Sequence, residues 1–106
     1  YTIFVNEFIN INEVDFEKLD KGKYQILFCT RGQLENNCKV IRDFYRNFLK
    51  NDINIEKLKI VGDEKMFNEK KYNKFLIIHK INNIPSILLL ENGEESEYVI
   101  LTNEEQ

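Results

Sequence analysis

Proline, methionine and histidine each occur once in this chain, cysteine only twice, and none of its four glycines belongs to a phosphate-binding loop. Each scarcity removes a class of chemistry. His79 has no second histidine with which to share a metal, so on an inward or boundary helix face it is expected to be structural. Two cysteines are too few for a disulfide scaffold and lack zinc-ligand spacing, and they fix no compartment. A paired-carboxylate glycosidase arrangement and a Ser-His-Asp set are missing as well, so no metal and no cofactor are expected. Long apolar runs are absent: the longest, such as Phe75 to Ile78 and Ile87 to Leu90, hold four residues, against the roughly 20 needed to cross a bilayer. The chain is therefore expected to be soluble, without membrane insertion. A basic field is also missing, since the net charge is −3 with lysines and acids interspersed, which argues against nucleic acid or anionic lipid as partners.

What is present suits one compact domain over residues 1–106. At 106 residues and 42% hydrophobic content, such a chain buries about two thirds of its unfolded surface. The first residue is Tyr1, which suggests a trimmed or cleaved start with room upstream for a signal peptide or an anchor.

Along the chain, Thr2 to Asn6 is β-branched and aromatic and predicts a first strand. Asn12 can cap a short helix over Glu13 to Leu19, with Gly22 as its exit. Tyr24 to Cys29 predicts a second strand, apolar on both faces towards its end as a central strand requires. Thr30 to Asn37 reads as a polar loop. From Cys38 to Lys50 the apolar residues Val40, Ile41, Phe44, Tyr45, Phe48 and Leu49 fall at helical spacing on one wide face. Ile55 to Val61 predicts a third strand ending at Gly62, and Glu64 to Lys80 a third helix. The order is β-α-β-α-β-α-β-β, which argues for a mixed sheet covered by helices on both faces.

The densest information lies in Ile84-Pro85-Ser86, the apolar run Ile87 to Leu90, and Glu91-Asn92-Gly93-Glu94. Asn-Gly is the pair that most readily takes positive φ at both centres of a hairpin turn, which makes Ser96 to Leu101 the antiparallel partner of the strand before it. Pro85 lacks a ladder donor and belongs at the strand's start. Ile-Pro-Ser, an apolar strand and Asn-Gly-Glu resemble the thioredoxin segment that reads Ile-Pro-Thr, strand, Asn-Gly-Glu. A second stretch carries the same resemblance without a gap, from Ile26-Leu27-Phe28-Cys29 through Leu34-Glu35-Asn36-Asn37 to Cys38-Lys39. On it Leu34 falls on the family's tryptophan, Glu35 on its first cysteine, Asn36-Asn37 on Gly-Pro, Cys38 on the second cysteine, and Cys29 on the buried aspartate.

The resemblance implies a three-layer α/β/α sandwich with a mixed sheet of about five strands and a cis bond entering Pro85 before the fourth strand. It also implies a final helix, for which the chain has only the capping-box sequence Thr102-Asn103-Glu104-Glu105. With that helix missing or truncated, one sheet face would stay uncovered, favouring a partner or a homodimer. The departures fall on the chemistry. The attacking cysteine is replaced by Glu35, a carboxylate that gains from a helix dipole but does not attack sulfur. Cys38 has three readings: a small apolar filler, a lone reactive thiol helped by Lys39, or half of a non-standard pair with Cys29. The resemblance therefore implies a protein or extended-peptide-binding module that has lost dithiol exchange. Its rim would be formed by Ile84, Pro85, Leu34, Glu35 and Arg31, with the backbone of Ile84 pairing with the peptide. The alternative is a thiol redox protein using Cys38, alone or with Cys29.

Overall fold

The computed structural model describes residues 2–69 and 85–100. Five strands form one mixed sheet in the order β1-β3-β2-β4-β5. These are β1 (Ile9–Asn10), β2 (Lys23–Thr30), β3 (Ile55–Gly62), β4 (Ser86–Glu91) and β5 (Glu94–Ile100). β3 runs parallel to both β1 and β2, whereas β2–β4 and β4–β5 are antiparallel. β2 is central, and every residue from Tyr24 to Cys29 is buried, which explains its continuous apolar run.

Strand alternation divides the interior into two cores. Tyr24, Ile26 and Phe28 of β2 join Ile60, Leu88 and Leu90 on one face, under Ile11, Leu19 and Phe67. Leu27 and Cys29 point the other way and meet Val61, Ile87 and the helix residues Leu34, Cys38, Ile41 and Tyr45. That helix, α2 (Arg31–Asn47), lies over the second face and is kinked at Asn37, whose φ of −129° and ψ of 30° leave the helical region. Gln25 faces the same way and is fully buried. Its side chain donates to the Phe48 carbonyl at 2.6 Å and accepts from the Lys50 amide at 3.1 Å, tying the end of α2 to the central strand. A buried amide is tolerable only with such partners.

Asn92 (φ 53°) and Gly93 (φ 84°) both have positive φ, as the sequence predicts for the β4–β5 turn. The Asn92 amide donates to the Gly22 carbonyl at 2.8 Å, and the Asn92 side-chain oxygen accepts from the Gly22 amide at 3.1 Å. The hairpin is thereby clamped to the entry of β2.

Four local expectations are corrected. Thr2–Asn6 is a short helix, α1, and the first strand is Ile9–Asn10. Burial of Phe4 against Tyr45, with ring centroids 6.2 Å apart, outweighs the strand propensity of its neighbours. The helix expected over Glu13 to Leu19 is two 3₁₀ turns, Ile11–Glu13 and Phe16–Asp20. They are started separately by the Asn10 and Asp15 side chains and separated by extended Val14. The loop expected over Thr30 to Asn37 is the beginning of α2. Thr30 and Gln33 form a reciprocal capping box there, with each side chain accepting from the other's amide. Between Glu64 and Glu69 the chain makes a turn and a 3₁₀ helix, Met66–Asn68, in place of a third α-helix. The remainder of that expected helix, with His79, lies outside the described residues, as do Ile84 and the bond it makes to Pro85, and the residues expected to open a final helix.

Candidate functional site

The C-terminal ends of β2 and β3 and the start of β4 meet at one end of the sheet. Phe28 pairs with Ser86, so partly buried Pro85 lies one step further along, opposite Cys29. Thr30 pairs with Gly62, and the chain turns directly from Thr30 into α2. Arg31 and Asp63 meet above this junction with 3.4 Å between guanidinium Nε and carboxylate oxygen. Both are well exposed, so the pair orients side chains and adds little stability. Asp63 was not anticipated from the sequence. Its signal was its place directly after Gly62 at the end of a parallel strand, where such sheets gather binding groups.

The predicted site residues divide into a surface set and a buried set. Arg31 and Glu35 are exposed on the first turns of α2. Leu34, expected on the rim, is inside the second core. Cys38 is the eighth residue of α2, follows the kink at Asn37, and is 3% exposed. The kink divides α2 into two helical segments, and Cys38 is the first residue after the break, turned into the core. Cys29 is fully buried beneath it in the same core, and both cysteines are free thiols. Burial first, and the neighbouring charge of Cys38 second, push the Cys29 thiol from 9.0 up to about 12. At neutral pH it is a protonated, apolar-packed group.

Behind the thiols, Lys59 reaches from β3 between α1 and α2. Its ammonium lies 5.0 Å from the Tyr45 ring centroid, 6.0 Å from that of Phe4, and 3.2 Å from a Glu7 carboxylate oxygen. This largely buried cation, with its side chain 11% exposed, pins α1 to the sheet. Among the described residues, no group of three or more His, Cys, Asp or Glu side chains is arranged to hold a metal. None of the described helices is long and apolar enough to cross a membrane.

Comparison with solved structures places the fold. A point-mutant thioredoxin from Halobacterium salinarum NRC-1 superposes with a TM-score of 0.50 at 15% identity, over 94% of this chain and 83% of that one. The chain has a thioredoxin-like fold. A thioredoxin from Nicotiana alata gives a TM-score of 0.50 at 17% identity, over 89% and 80% of the two chains. The first thioredoxin domain of mouse protein disulfide-isomerase A4 gives 0.51 at 20% identity, over 92% and 66%. No protein-family model matches the chain, and no curated protein sequence matches it. Within this thioredoxin-like fold Glu35 is exposed on α2, and both sulfurs lie below the surface.

Proposed function

We propose that this thioredoxin-like domain is a binding module for an extended segment of another protein, and that it does not carry out dithiol exchange. The burial and protonation of the sulfur carries the reading: Cys29 is pushed up to about 12, and Cys38 is 3% exposed. Thiol–disulfide exchange needs a reachable thiolate. The exposed Arg31–Asp63 pair, where β2 gives way to α2, and exposed Glu35 on the same helix support a charged rim that would orient a peptide whose backbone pairs beside Pro85 and Ile84. The partner class is a protein or extended peptide, and a second copy of the chain is one member of that class.

The test combines two measurements on the full chain. A reduced, unfolded model peptide should shift the amide resonances of Arg31, Glu35 and Ser86, while the chain should leave the rate at which dithiothreitol reduces insulin disulfides at the reagent's own value. Catalysed insulin reduction would overturn the proposal.

One observation favours a second reading, a redox role. Cys29 and Cys38 are neighbours in one core, close enough for the charge of one to raise the pKa of the other. Joining them as a disulfide passes two electrons and two protons to an oxidant such as glutathione disulfide, which leaves as two molecules of reduced glutathione. Loss of two hydrogens in the mass of the folded chain after mild oxidation would support it.

A further inference from the structure

A second, separate place for strand addition lies on the opposite side of the sheet from β5. β1 meets β3 only at Ile60 and Val61, whereas β2 pairs with β3 along its whole length from Ile55 to Gly62. Among the described residues, Ile55 to Lys59 therefore have a strand on one side and none on the other. Backbone donors and acceptors in such an edge form a template for another extended chain. Of the devices that blunt such edges, β3 has charged side chains at Glu56, Lys57 and Lys59 but neither an irregularity in its register with β2 nor a proline, so its backbone stays available to a chain of complementary charge.

Beside this edge a cavity of about 280 Å³ opens between β3 and the two 3₁₀ turns. Its floor is apolar, formed by Val14, Leu19, Tyr24 and Leu58. The volume is below the roughly 300–1,000 Å³ common for small-molecule sites and suits one large apolar side chain. The mouth is acidic, with Glu13, Asp15 and Glu56 against a single Lys18. Strand alternation turns Glu56 and Leu58 to this cavity and Lys57 and Lys59 to the other face, so an added strand would present every second side chain to an apolar hole inside an acidic ring.

We infer that the Ile55–Lys59 edge takes an extended peptide of another protein by strand addition, with one large apolar side chain in the cavity and lysine or arginine two residues to either side. The apolar residue supplies burial, and the flanking cations answer the three carboxylates. This site is distinct from the surface around Pro85, which lies beyond β2 at the C-terminal end of the strands.

The test uses the isotopically labelled full chain and the capped synthetic peptide Lys-Val-Phe-Val-Lys-Thr. The proposal expects shifts and slowed amide exchange in Ile55 to Lys59, with shifts at Val14 and Leu19. A peptide with both lysines changed to glutamate should bind about tenfold more weakly, and Glu56→Lys should narrow or reverse that preference. Should Glu56→Lys fail to fold, the two peptides on the unaltered chain still decide the matter. No response at the edge, binding indifferent to peptide charge, or shifts confined to Arg31 and Ser86 would each overturn the inference. So would edge amides already protected in the free chain: protection independent of concentration means that the chain's own residues fill the edge, and protection that rises with concentration means that a second copy does.

Discussion

At the residue scale, the chemistry of this site is governed by what burial does to two acidic groups. Cys29 is pushed from 9.0 up to about 12 by burial and then by the charge of Cys38, and Tyr45 from 10.0 up to about 12 by burial and then by Glu7. A raised pKa means that the folded state holds its proton where the unfolded state has lost it. The stability this contributes is complete below about pH 9 and is lost as pH climbs through about 12. Chemical denaturation at intervals from pH 8 to 11 should therefore show a steady decline, and Tyr45→Phe should flatten it. The Tyr45 hydroxyl is buried with no hydrogen-bond partner among the described residues, so that substitution should leave stability at pH 7 unchanged or up to about 1 kcal/mol higher, because an unsatisfied polar atom disappears. A loss above about 2 kcal/mol at pH 7 would mean that the hydroxyl has a bonded partner. A second prediction concerns position 35. Glu35 and Cys38 are three residues apart on α2, so Glu35→Cys should give a chain whose new thiol forms a reversible disulfide with Cys38. Mass change and a measurable reduction potential would report it, and persistence of all three free thiols in glutathione disulfide would remove Cys38 from the position assigned to it.

At the element scale, the close approach of β3 to the first 3₁₀ turn is the most exposed to substitution. A Cβ at Gly62 would lie 2.8 Å from Ile11 Cγ2, and Ile11 is fully buried with nowhere to retreat. Gly62→Ala should cost about 1–3 kcal/mol, as overpacking does, and lower the melting temperature by roughly 4–8 °C per kcal/mol in a domain this size. An unchanged melting temperature would show that the turn moves freely. The elements themselves were unequally legible. β2, β3 and the β4–β5 hairpin could be read because run length, alternation and Asn92-Gly93 are local signals that tertiary packing reinforces. The start of α2 resembles a loop in sequence because Gly32 and its polar neighbours obscure a capping box that Thr30 and Gln33 spell out. Thr2–Asn6 could not be read correctly from propensity, since the decision is made by Phe4 finding Tyr45, 41 residues away, and by Glu7 finding Lys59. Of the site, Arg31, Glu35 and Pro85 came from the resemblance. The inward turn of Leu34 and the Arg31–Asp63 pair required the fold.

At the scale of the whole molecule, the thioredoxin-like sheet keeps both thiols on its covered face and its charged rim outside. β2 is the shared wall: even-numbered residues close one core, odd-numbered residues the other, and Gln25 uses the second face to anchor the end of α2. Because the sulfurs are part of that second core, their reactivity is tied to the opening of the domain. The most direct measurement is therefore the rate at which iodoacetamide labels Cys29 and Cys38 in the native chain at pH 7, set beside the same chain unfolded in guanidinium chloride. The account predicts labelling of both cysteines only as fast as the domain opens, with rates that rise together under mild denaturant. Rapid labelling of either cysteine in the fully native chain, at or above the rate of the unfolded chain, would contradict it.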